Sequence, residues 1–152
     1  MFKLKFYLII IFFLISCSLS STEKVFIAVS IDNKIITNID IEKEIEYLKI
    51  LNPSLLKLDN KSKYEIAKKS LINEKIKKEE IIKFTDFKRN NPLEDEMLKN
   101  LYNRVNLSQE DFKKMLLRKK NYSFEEIKEK LKIEIFWNDL IYLKFQKQIK
   151  ID

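Results

Sequence analysis

VFIAVSIDNKIITNIDI, residues 25–41, changes its period halfway along, and that change decides the fold. Phe26, Ile27, Val29 and Ile31 form a β-rich run, Asp32-Asn33 supplies a two-residue turn whose side chains tolerate φ > 0, and residues 34–36 run back. From Thr37 the spacing becomes helical. Thr37 with Asp40 makes a capping box, and Ile36 and Ile41 bracket it as a hydrophobic staple that fixes how the chain enters the helix. The stretch predicts a short hairpin feeding straight into a helix.

The same start chemistry recurs downstream at Ser62/Glu65, Ser108/Asp111 and Ser123/Glu126, with Leu107/Phe112 and Tyr122/Ile127 as staples around the last two. Asn91-Pro92 followed by Glu94, Asp95 and Glu96 places a proline at a helix start and acids at the positive end of its dipole. The predicted helices are 39–51, 62–83, 92–104, 109–119 and 124–150, the first ended by Asn52-Pro53. The fold class expected is mainly α: a short N-terminal β-hairpin followed by five helices, the last one long. Because the chain has no glycine, left-handed positions must fall to Asn or Asp, and Asn33, Asn90, Asn106 and Asn121 stand at the expected breaks.

Core stripes are legible in the third helix as Leu93, Met97, Leu101 and Val105, and in the fourth as Phe112, Met115 and Leu116. The last helix is different. From Ile133 onward Ile135, Phe136, Trp137, Leu140, Ile141, Tyr142, Leu143 and Phe145 cover nearly its whole circumference. Such a helix is either wrapped by its own domain or keeps part of its surface for a partner.

The first 21 residues read as an export signal: Lys3 and Lys5, an apolar run over residues 6–15, then serines at 16, 18, 20 and 21. The run is short of the roughly 20 apolar residues that span a bilayer, although an uncleaved anchor is one reading. The lone cysteine, Cys17, lies in LISC, which resembles the lipobox of bacterial lipoproteins; in that reading the thiol is acylated and cleavage falls before it. Ordinary cleavage after Ser20 would discard it. The remaining residues, 22–152, suit one domain, and the expected location is the periplasm, soluble or lipid-anchored through Cys17 to an envelope membrane.

The net charge of +7 is mild, and with lysine dominating over three arginines (Arg89, Arg104, Arg118) there is little material for bidentate readout of nucleic acid, so no nucleic-acid partner is expected. Lys and Glu interleave instead, and residues 74–80 and 125–132 read as solvated helix faces with i,i+4 pairs. The absence of histidine rules out imidazole catalysis and His-ligated metals, and one cysteine rules out an intrachain disulfide or thiolate cluster. Without glycine there is no P-loop and no dinucleotide fingerprint. No carboxylate pair is marked in the sequence as buried or perturbed. No catalytic residue, cofactor or metal is expected.

The hairpin entry, SLINEKIKKEEIIKF, NLSQEDFKKML and NYSFEEIKEKLKIEIFWNDLI with its single Trp137 occur in the order found in the N-terminal domain of SurA-type periplasmic chaperones, which the chain resembles over residues 26–149. The order and spacing of the pieces carry the resemblance. It implies a fold that holds unfolded outer-membrane or envelope polypeptides by shallow apolar and backbone contacts. That family also carries parvulin-type prolyl isomerase domains and a returning C-terminal segment. This sequence stops at Asp152, where such a domain would begin, so isomerase activity is not carried over and the chain is not expected to be an enzyme.

The residues expected to meet a client or a second copy in a homodimer are Phe26, Ile27, Phe136, Trp137, Leu140 and Leu143. Residue by residue, the competing expectation is that they form the domain's own core. A membrane-tethered adaptor lipoprotein that binds one envelope partner is the alternative function.

Overall fold

The computed structural model describes residues 24–118 and 122–146. The order is β1 (Ile27–Ile31), β2 (Lys34–Thr37), α1 (Asn38–Leu51), a 3-10 turn (Pro53–Lys57), α2 (Asn60–Ile82), α3 (Leu93–Arg104), α4 (Gln109–Arg118) and α5 (Phe124–Phe145). The fold is mainly helical with one short antiparallel hairpin at the N-terminal side and a long last helix, as the sequence implies.

The hairpin closes at Ile31 opposite Lys34, so the loop is the two residues Asp32-Asn33. Asp32, not Asn33, takes the left-handed conformation, at φ 49°; Asn106 takes the other, at φ 55°. A short polar side chain makes either residue tolerable there, so composition could not choose between neighbours. Of the other expected breaks, Asn90 keeps negative φ and Asn121 lies outside the described residues. A bulge between Ile27 and Val29 shifts the pairing from Ile27 opposite Thr37 to Val29 opposite Ile36.

The start of α1 is built as read. Thr37 caps Asp40 N–H, the Asp40 carboxylate accepts from Thr37 N at 2.8 Å, and Ile36 and Ile41 are both fully buried against Ala67 and Leu71 of α2. Ser123 and Glu126 form the same reciprocal box at α5. The α2 start differs: the cap is Asp59, whose carboxylate accepts from Ser62 N at 2.9 Å and from Ser62 Oγ, so Ser62 lies inside the helix. A charged acceptor outcompetes a hydroxyl at the positive end of the dipole. At α3 the cap belongs to Asn91, whose Oδ1 accepts from Leu93 N at 3.0 Å while its own N–H donates to Glu94 Oε1 at 3.0 Å. Of the expected stripe, Leu101 is in the core and Met97 and Val105 pack at its margin, whereas Leu93 is exposed and Glu94 and Leu98 are buried instead. Helix α5 ends at Phe145, and residues 147–150 of the predicted helix, like Lys119 of the fourth, lie outside the described residues.

The core forms three clusters along the helices. One joins Tyr47 of α1 with Leu98, Leu101, Phe112, Leu116, Ile127 and Leu131. A second places the hairpin and α1 on α2. The third joins Ile81 at the end of α2 to Ile133, Phe136 and Leu140 of α5, with Phe87 and Trp137 at its margin.

Candidate functional site

Two features stand out against this frame: bare apolar surface at the hairpin and at the end of α5, and charged groups closed inside the helix interface.

Strand alternation sends Ile36 into the core and Ile35 outward, and Ser30 pairs with Ile35 on that outer face. Val25, Phe26 (56% exposed), Ile27 and Ile35 are all exposed, and nothing among the described residues covers the outer face. Each strand also has one edge without a strand partner among the described residues. Asn38 ties down the entry to β1: its Oδ1 accepts from Phe26 N at 2.9 Å, and its own N–H donates to Phe26 O at 3.1 Å. Phe26 and Ile27 are thus held by backbone and exposed by side chain.

The α5 candidates divide. Phe136 (2% exposed) and Leu140 are core residues packed with Ile81 and Ile133, so they offer no surface to a partner, and the expectation that they do is corrected. Helical spacing carries them onto the face that meets the end of α2. Trp137 is half-buried at the cluster's margin, with Lys77 Nζ 5.9 Å from its ring centroid. Leu143 (63% exposed) stands outside that cluster near the end of α5, along with exposed Tyr142 and Phe145. Exposed Phe84 joins this end, its ring 4.3 Å from Lys144 Nζ, which pairs with Glu80 at 3.0 Å. Lys34 at the hairpin turn pairs with the neighbouring Glu79. Consecutive acids of α2 thereby link the hairpin to the end of α5.

The charged segments 74–80 and 125–132, expected to be solvated faces, instead meet each other across the α2–α5 interface. Lys77 pairs with Glu134 at 2.6 Å and Lys78 with Glu129. Deeper in, Glu44 of α1 is 1% exposed and accepts from Ser70 Oγ at 2.7 Å, Tyr122 Oη at 3.0 Å and Lys130 Nζ at 2.8 Å. Lys130, itself buried, also pairs with Glu74 and stands 4.7 Å and 5.3 Å from the ring centroids of Tyr122 and Tyr47. A second such pair, Lys132 with Glu94 at 3.3 Å, lies beside Phe87 and Phe136. Glu44 and Glu94 are buried carboxylates that the sequence reading did not single out. A signal was present, because Lys130 and Lys132 interrupt the apolar stripe of α5, but lysine stems snorkel so readily that their position alone does not mark burial.

Burial, reinforced by the negative field of Glu44, pushes the phenols of Tyr47 and Tyr122 far above the usual tyrosine range. The unfolded chain ionises its tyrosines near about pH 10 while these two keep their protons. The folded state then binds more protons above about pH 10, and stability falls there by up to ~1.4 kcal/mol per pH unit for each phenol, with no contribution below it. In an alkaline titration we expect two tyrosines' worth of tyrosinate absorbance to emerge only as helical circular dichroism is lost; simultaneous ionisation of all tyrosines in intact protein would contradict this.

Among the described residues no group of His, Cys, Asp and Glu is placed to hold a metal ion, and no helix is long and apolar enough to cross a membrane. Cys17 and the apolar run 6–15 lie outside the described residues. These features define a mainly helical module with a bare sheet face, a bare helix end and an internal ion network. No known protein family, no curated protein and no solved structure matches the chain.

Proposed function

We propose that this module holds unfolded envelope or outer-membrane polypeptides through shallow apolar and backbone contacts, outside the cytoplasm and without isomerase chemistry of its own. The observation that carries the reading is the hairpin: among the described residues it is a two-stranded sheet with one covered face, one face bearing exposed Ile27 and Ile35, and an edge of each strand without a strand partner. An extended chain can add to such an edge by main-chain hydrogen bonds that are indifferent to sequence, while its apolar side chains rest on the bare face. The exposed end of α5 offers a second apolar patch with Tyr142, Leu143, Phe145 and Phe84. Scattered, shallow contacts of this kind favour breadth over affinity.

The mature chain is expected to suppress the light scattering of a urea-denatured outer-membrane β-barrel protein on dilution. The triple variant Phe26→Ser/Ile27→Ser/Leu143→Ser should need at least ~5-fold more protein for equal suppression, the equivalent of about 1 kcal/mol of lost contact, at an unchanged melting temperature. Full suppression by the variant would remove the surface from the mechanism. Tight stoichiometric capture of one folded envelope protein, with no suppression by wild type, would replace this reading with the membrane-tethered adaptor.

A further inference from the structure

A cavity of about 230 Å³ lies between α1, α2 and α5 beside the buried ion network. Its charged lining is Glu44, Glu74 and Glu134 against Lys77 and Lys130, three carboxylates facing two ammonium groups. Glu44 already accepts from three donors, whereas among the described residues Glu74 is paired with Lys130 alone and Glu134 with Lys77 alone. The cavity is also lined by Tyr47, a residue 6% exposed whose hydroxyl has no hydrogen-bond partner among the described residues. A buried phenol without a partner forfeits about 1–3 kcal/mol, so its oxygen calls for an occupant of the cavity.

We propose that this cavity is a binding site for a small primary alkylammonium compound, a monoamine or short diamine, whose head group lies among Glu74, Glu134 and the phenol oxygen of Tyr47. The ammonium supplies three donors to acceptors that have capacity left, and it balances the one unmatched negative charge of the lining. Anions are excluded by the same field. Leu48 and Leu51 on the cavity wall give the alkyl stem an apolar surface. The volume corresponds to roughly seven waters at about 30 Å³ each, enough for a short amine and too little for a folded element or a bulky cofactor. The site is separate from the hairpin surface and does not depend on the client-holding reading.

Trp137 is the natural reporter, because the chain has a single tryptophan and its ring contacts Lys77, the partner of Glu134. We expect titration of the mature chain with ethylammonium or 1,4-diaminobutane, at fixed ionic strength, to give a saturable change in Trp137 emission and a matching calorimetric isotherm. Tyr47→Phe, which keeps the ring and removes the hydroxyl, should weaken binding ~5-fold, the equivalent of one hydrogen bond. Glu134→Gln should weaken it ~10-fold or more, as loss of a charged acceptor does. Tetramethylammonium, which cannot donate, should not saturate. No saturation below ~10 mM, an affinity too weak to separate from bulk ion effects, would overturn the proposal and leave the cavity to water. An equal response to tetramethylammonium, or unchanged binding by both folded variants, would overturn it equally.

Discussion

Lys130→Ala is expected to destabilise the fold by about 3–5 kcal/mol, the usual result of stranding a buried charge. Glu44 is almost wholly shut away from water, and Lys130 is the only cation within salt-bridge distance of it among the described residues. Truncation would also remove the ammonium from beside the paired rings of Tyr47 and Tyr122 and release Glu74. Glu44→Ala should be similarly damaging, since it takes one buried acceptor from each of Ser70, Tyr122 and Lys130 and leaves Lys130 with Glu74 alone among the described carboxylates. The double variant Glu44→Gln/Lys130→Met, in which neither charge remains, should be less destabilised than the two single alanine changes added together, by at least about 1 kcal/mol of coupling. Urea unfolding followed by circular dichroism measures all of these. Single variants that each lose under about 1 kcal/mol would mean that water reaches the network and that the pairing is worth no more than a surface ion pair.

Phe136→Ala is expected to lose about 3–5 kcal/mol, because it empties a ring-sized volume among Ile81, Ile133, Leu140 and Phe87. Two turns further on, Leu143→Ser should change stability by no more than about 0.5 kcal/mol, since that side chain lies in solvent. The two substitutions sit on one helix and separate its structural part from its surface part. Their effects on aggregation suppression should run the opposite way: Leu143→Ser contributes to the loss in the hairpin and α5 triple variant, whereas Phe136→Ala, studied well below its melting temperature, retains suppression. A Phe136→Ala protein of unchanged stability that fails to hold a client would show that the end of α5 opens and that Phe136 is a contact residue after all.

Much of the fold was legible because the chemistry that starts each element is local. Thr37/Asp40, Ser123/Glu126 and the staple Ile36/Ile41 satisfy their own neighbours within five residues, so short windows of sequence contain the whole interaction. Where two local solutions compete, the sequence is silent: Asp59 against Ser62 as a cap, Asp32 against Asn33 for the left-handed turn residue. The surface was half legible. Ile27 follows from a strand with one covered face, but Phe136 and Leu140 read the same as Leu143 in an all-round apolar helix until the elements packed against α5 are known.

Residue type and near neighbours suffice for the hairpin, for the five helices of the described residues and for the lack of imidazole, thiolate-cluster and glycine-loop chemistry. Which charges go inside depends instead on packing between distant segments. Glu44, Glu74 and Lys130 are separated by 30 and 56 residues, and nothing in a lysine- and glutamate-rich helix tells a solvated face from one that meets its complement. Burial is set by where α1, α2 and α5 lie against one another, so the ion network and the cavity lined by Tyr47 arise together from that packing.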